Sequence, residues 1–323
     1  MNKNRYGSKT PRLLISAGTG WSATTPLLYT LTISNKYCHP GYWKESEYLS
    51  SIDGPAHQKY LDKYKEENST AEKDRIRNEG EAISWNKHPD ISVHSKYITL
   101  SKQDKINWMT PPFTIQKYCH FYRNHWLGLQ ENSKYQAVAD FSNANFSLPE
   151  EKIKKIKPFI DEWFDAKVIM IFRDPVRRLF SEFQARYYKS HFGRVYSNAM
   201  SYLTADLERI ISEDCKYIKH YKKWKKYFPT HPIVMEEFWE GETENLSNFL
   251  DFKINEIWNN CYWPECGKNA PEYEGLSDQY ESDREDMTPQ FYKKVKDKLL
   301  PQYEAWYDEF GSLPKTWGKH IYL

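Results

Sequence analysis

The chain has 323 residues, 39% hydrophobic and 16% aromatic, enough to bury one large core or two small ones, so its mean hydropathy of −0.85 reflects abundant Lys, Asn, Glu and Tyr rather than disorder. With 46 Lys and Arg against 44 Asp and Glu the net charge is +2, which excludes a general polycation; any anionic partner has to be met by a local patch. No run approaches the roughly 20 apolar residues of a membrane helix and no signal-peptide core is present, so the expectation is a soluble cytoplasmic protein without a membrane or nucleic-acid partner.

Residues 1–10 are polar and read as a flexible tail. Arg12–Leu31, R-L-L-I-S-A-G-T-G-W-S-A-T-T-P-L-L-Y-T-L, is a strand–loop–helix unit. Leu13–Ala17 is the apolar strand, Gly18 and Gly20 allow a sharp turn, and Pro26 suits the first position of a helix capped by Thr24 or Thr25. Backbone N–H groups and the positive end of the helix dipole would then meet in the loop, a place that favours phosphate. An ordinary glycine-containing turn fits the same residues, so a second anion-binding signal is needed.

Pro40 and Gly41 are expected to break that helix before Lys44 and Glu45. Such a pair reads either as solvated surface or, if a substrate hydroxyl lies within reach, as a carboxylate general base beside a cation. Residues 56–82 are highly charged and read as a helical insertion or flap; Ile91–Leu100 reads as a strand or extended loop, and Trp108–Tyr122 leads into a helix. His94, His120 and His125 stand alone in sequence and are assigned no role.

Tyr135–Phe141 is a second strand, ending in the polar turn Ser142–Asn145, which can face the same crevice as the first loop if the sheet is parallel. An amphipathic helix at 149–165 precedes Lys167–Phe172, K-V-I-M-I-F, an apolar run of the kind a strand buried on both faces requires. A helix at 214–228 and a strand at Pro232–Phe238 follow, and a terminal helix spans Thr288–Phe310. Five cysteines are too few and too uneven for a disulfide framework; reduced thiols are expected, with Cys261 and Cys266 the one close pair that a bridge would suit. No Cys and His spacing matches a zinc site, so no metal is expected.

The second signal follows the strand 167–172. Arg173-Asp-Pro-Val-Arg-Arg-Leu-Phe-Ser181 puts an arginine at the strand end and a serine eight residues on, a planar fork of donors and a hydroxyl suited to one phosphate. Together with Gly18–Thr25, this R-D-P-x-x-R-x-x-S motif resembles the sulfotransferase superfamily, whose donor is 3′-phosphoadenosine 5′-phosphosulfate. The likeness is greatest to the glycan-modifying branch typified by heparan sulfate sulfotransferases. It implies one α/β domain over 1–323, a P-loop-like three-layer fold with a central, mainly parallel sheet flanked by helices. It also implies that Gly20, Trp21, Ser22, Ala23, Thr24 and Thr25 hold the 5′-phosphosulfate, and Arg173 and Ser181 the 3′-phosphate. Lys268, in a loop after Cys266, would close over the donor. Lys44 and Glu45, after an H-P dipeptide, match a Lys–Glu pair whose glutamate is the general base. The acceptor would be a hydroxyl, on a carbohydrate by that resemblance.

Departures from the pattern keep other readings open. Trp21 stands where relatives carry a cation, and Phe141 replaces a lysine after the second strand, so the positive charge would have to come from Lys44, Lys268, Arg12 or Arg186. Glu47 stands in place of a histidine, which points to an acceptor other than heparan sulfate. The alternatives are a catalytically silent nucleotide- or polyanion-binding protein of the same fold, and a protein-tyrosine or small-molecule sulfotransferase. A P-loop kinase is disfavoured, because the loop lacks the G-K-[ST] ending whose lysine reaches the phosphates.

Overall fold

In the computed structural model the described residues are 10–19, 22, 24–40, 48–52, 112–132, 135–179, 182, 211, 215–257 and 295–317. Short apolar runs form five strands: β1 (Arg12–Ser16), β2 (Cys38–His39), β3 (Ala137–Asp140), β4 (Asp165–Phe172) and β5 (Thr230–Val234). All pair in parallel, in the order β2-β3-β1-β4-β5, so the first strand lies at the centre with Leu13 opposite both Val138 and Ala166.

Side chains alternate along each strand, and here both faces are covered, which is why the strands read as continuous apolar runs. On one face Leu13, Ile15, Ala17, Val138, Val168, Met170 and Phe172 pack against α3 (Ile115–Asn132), α4 (Glu150–Trp163), α6 (Tyr217–Lys225) and a helix at 295–310, α9. On the other, Leu14, Ala137, Ala139, Ile169, Ile171 and Ile233 meet α1 (Thr24–Tyr29), the π-helical turn Thr30–Ser34 that continues it, α7 (Met235–Trp239) and α8 (Glu244–Leu250). Two further short helices among the described residues are α2 (Tyr48–Ser51) and α5 at 175–179. The result is an α/β arrangement of a parallel sheet between helical layers.

The chain leaves β1 toward the β2 edge and leaves β3 in the opposite direction, toward β4. Right-handed crossovers place those two connections on opposite faces, and in open parallel sheets that reversal marks the place, beyond the carboxyl ends of β1 and β3, where a ligand crevice forms.

Several elements differ from the sequence-based expectation. The first helix begins at Thr24, not Pro26. Proline is tolerated in this turn because the first four N–H groups of a helix have no intrahelical partner. The helical run is over by Ser34, and Cys38 and His39 form an edge strand before Pro40 is reached. β5 spans Thr230–Val234 rather than 232–238, because Met235 and Phe238 are spaced for a helix face and both bury, while Glu236 and Glu237 favour the N-terminal end of a helix dipole. Of the terminal helix, 295–310 is described. The tail 1–9, the insertion 56–82, Ile91–Leu100 and Cys261–Cys266 lie outside the described residues. Among the described residues no helix is long and apolar enough to cross a membrane.

Candidate anion-binding site

The carboxyl ends of β1, β3 and β4 bring three segments together. From β1 the chain runs through Ala17, Gly18 and Thr19 into the loop. A Cβ on Gly18 would stand 2.6 Å from Cγ2 of Thr24 and 3.0 Å from Cβ of Ile171, so glycine is what allows this loop to pack between β4 and the start of α1. Thr19 and Ser22 close the turn, with the Ser22 N–H donating to the Thr19 carbonyl at 3.3 Å and the two hydroxyls 2.5 Å apart. The Thr24 hydroxyl donates to Asn143 Oδ1 at 3.3 Å instead of capping its own helix. No acidic residue occupies the first turn of α1.

Asn143 belongs to the short 3₁₀ turn Asn143–Asn145 that follows β3. The turn is held under β1 by Asn145, whose Nδ2 donates to the Ser16 carbonyl at 3.3 Å, and by Trp224, whose Nε1 donates to the Asn145 carbonyl at 3.0 Å. The expected meeting of this turn with the first loop is therefore present. Asp140, fully buried at the end of β3, accepts from the Tyr118 hydroxyl at 3.0 Å, and burial together with that carboxylate pushes the Tyr118 phenol well up. Phe141, the position matched to a missing lysine, is a core residue on the α1 side of the sheet.

The third segment is the R-D-P motif after β4. Asp174 Oδ1 accepts from the N–H groups of Val176 and Arg177 at 2.9 and 3.0 Å, and with Pro175 after it makes an N-cap and N1 pair for α5. Tyr303 of α9 donates to the same oxygen at 3.1 Å, and Glu236 of α7 accepts the Asp174 N–H at 3.1 Å. Arg173 is 30% exposed at the strand end and stands 3.9 Å from Glu236, while its carbonyl accepts from the Tyr217 hydroxyl at 3.1 Å. Burial lowers the arginine pKa and raises that of Glu236; at 3.9 Å their attraction only partly opposes this.

Arg178, the second arginine of the motif, was given no role from sequence, although the spacing itself displays it. It is 1% exposed and forms an ion pair at 3.0 Å with Glu182, also 1% exposed. Its Nε donates to Thr19 Oγ1 at 3.0 Å and its Nη1 to Cys215 Sγ at 3.6 Å. The motif is thus divided in use: Asp174, Pro175 and Arg178 build the structure, while Arg173 presents a guanidinium at the strand end.

Of the residues singled out from sequence, Ser22 and Thr24 follow the carboxyl end of β1, and Arg173 follows the carboxyl end of the neighbouring β4. Gly20, Trp21, Ala23, Lys44, Glu45, Ser181 and Lys268, and the side chain of Thr25, lie outside the described residues. Arg12 does not belong with them: it begins β1, at the opposite end of the strand, and lies 3.9 Å from Asp251. His125 is not alone, as its Nε2 lies 2.9 Å from Nδ1 of His39, at the end of β2. Among the described residues no group of three or more His, Cys, Asp or Glu is placed to hold a metal ion. No protein-family model and no curated protein matches this chain.

Proposed function

We propose that the chain is a sulfotransferase that moves a sulfuryl group from 3′-phosphoadenosine 5′-phosphosulfate to a hydroxyl acceptor on a carbohydrate. The observation that carries this reading is the adjacency of the two anion-binding elements. The loop after β1 and the R-D-P segment after β4 leave neighbouring parallel strands at the same end and are hydrogen-bonded through Thr19 and Arg178. The strand order, with the first loop beside the crevice, supports the P-loop-like description of the fold.

The residues present suit such a donor. Arg173 offers a partly exposed guanidinium for the 3′-phosphate, and the start of α1 carries no acidic side chain that would repel the 5′-phosphosulfate. In this reading the loop 20–25 wraps the phosphosulfate, Ser181 joins Arg173, Lys268 covers the donor, and Lys44 keeps Glu45 ionised. The acceptor oxygen bonds to sulfur in line as Glu45 takes its proton and the sulfur–oxygen bond to the 5′-phosphate breaks. A reducing compartment such as the cytoplasm belongs to this reading, and Cys38, Cys119 and Cys215 are buried thiols.

The buried place of Phe141 favours a second reading, a nucleotide-binding protein of the same fold that does no chemistry, because that position supplies no charge. Labelled donor incubated with a panel of carbohydrate, phenolic and peptide hydroxyls, beside calorimetry with adenosine 3′,5′-bisphosphate, separates the two. Transfer to a carbohydrate is expected, and Glu45→Gln should leave binding intact while cutting turnover by roughly 10²–10⁴-fold. Binding without transfer to any acceptor would establish the silent protein, and no binding at all would end both readings.

A further inference from the structure

We infer that Arg178 is a positioning residue for the first loop, a strut that makes the two anion-binding elements a single unit instead of a third ligand for phosphate. The inference rests on the nucleotide-site reading above and adds a role that the Arg173–Ser181 pairing does not contain.

An arginine can only donate, so Thr19 Oγ1 must accept the bond from Arg178 Nε at 3.0 Å. The Thr19 hydroxyl also makes the 2.5 Å contact with Ser22, and the Thr19 carbonyl accepts the Ser22 N–H. One guanidinium thus fixes a residue that closes the loop turn by two routes, its hydroxyl and its backbone carbonyl. The other end of the fork is fixed in turn, because Nη2 donates to Glu182 at 3.0 Å and Nη1 to Cys215 Sγ at 3.6 Å. Arg178 and Glu182 are one helical turn apart and equally buried. Buried ion pairs tend to repay their desolvation only when further hydrogen bonds satisfy the group, and the bond to Thr19 is one of these. At 1% exposure Arg178 has no surface to offer an anion, whereas Arg173, five residues earlier, has.

A ligand-holding arginine and a loop-positioning arginine differ in what their removal does to two probes, adenosine 5′-phosphate and adenosine 3′,5′-bisphosphate. The ratio of their affinities reports the 3′-phosphate alone. Arg173→Ala should collapse that ratio. Thr19→Val and Arg178→Lys should each weaken both probes by a common factor of roughly threefold to thirtyfold, the effect of one hydrogen bond, and leave the ratio as in the wild type. Thr19→Val keeps the shape of the side chain and the buried ion pair, so it tests the strut even if the Arg178 variant does not fold. The inference is overturned if folded Thr19→Val binds both probes as tightly as the wild type, or if Arg178→Lys collapses the ratio as Arg173→Ala does. A wild type that binds neither probe would sink the nucleotide reading on its own. The strut is then decided by a urea double-mutant cycle between Thr19→Val and Arg178→Lys, in which coupling supports it and additivity overturns it.

Discussion

Gly18 shows how little room the first loop has. The absence of a Cβ lets the backbone pass between Thr24 and Ile171, with the nearest atoms 2.6 and 3.0 Å from where that carbon would stand. Thr24 has its own hydroxyl tied to Asn143, and Ile171 is a fully buried residue of β4, so neither neighbour moves without cost. Gly18→Ala should therefore destabilise the protein by about 1–3 kcal/mol, the usual range for inserting a methyl into a packed site. Urea unfolding checks this, and an unchanged midpoint would mean that the loop relaxes freely. Because the strain falls on the turn that Thr19 and Ser22 close, the variant should also bind adenosine 3′,5′-bisphosphate more weakly at urea concentrations where it remains folded. Arg173 stands in contrast to this tightness: its side chain is 30% exposed, and the Glu236 carboxylate is 3.9 Å away.

At the scale of elements, the edge strand β2 is the least self-evident part of the sheet. Two residues carry no periodic signal, and their place is fixed by pairing with Ala137 and Val138 and by contact of His39 with His125 of α3. The rings lie 4.8 Å apart and both are buried, with Tyr135 edge-on to His39. Burial pulls the His125 pKa from its ordinary 6.5 to about 3. The unfolded chain then takes up a proton as pH falls through 6.5, while the folded one does not until about 3. This stability is complete above 6.5 and is lost progressively toward 3, at up to about 1.4 kcal/mol per pH unit. His231, lowered by burial to about 4, acts with the same sign. Urea midpoints at pH 7, 6 and 5 should fall in the wild type, and His125→Gln, which still offers His39 a hydrogen-bonding partner, should show a shallower decline. Equal slopes would mean that His125 is protonated in the native state.

The same elements show what could be read from the residues. The runs at 13–17, 135–141 and 167–172 were legible because a strand covered on both faces has to be apolar throughout. β2 was not, nor was the turn from β5 into α7, where five residues are too few for the helical spacing of Met235 and Phe238 to stand out from the strand before them. The pairs that shape the site are non-local. His39 and His125 are 86 residues apart and Thr19 and Arg178 are 159 apart, distances at which no pattern in a single sequence links two side chains.

Across the molecule, α9 lies on the same hydrophobic cluster as α3, α4 and α6, and it also reaches the motif. Trp306 sits 5.1 Å from Phe172, the last residue of β4, and 4.5 Å from Trp317. Trp317 Nε1 donates to Glu236, Tyr303 to Asp174, and Glu309 pairs with Lys222 and Lys225 on α6. A helix near the end of the sequence is thereby fastened to the strand, the cap and the carboxylate that surround Arg173. If these contacts make one cooperative unit, Trp306→Ala should cost about 3–5 kcal/mol, the usual effect of emptying a large aromatic site. The loss should appear as a lower midpoint of a single transition, with far-UV circular dichroism and tryptophan fluorescence still coinciding. Nucleotide binding should fall only as far as the unfolded fraction grows, because the ring contacts of Trp306 among the described residues are with Phe172, Phe310 and Trp317, none of them assigned to the ligand. Two separated transitions in the variant would show instead that α9 is held as an independent unit, and the single-domain reading of the chain would fail.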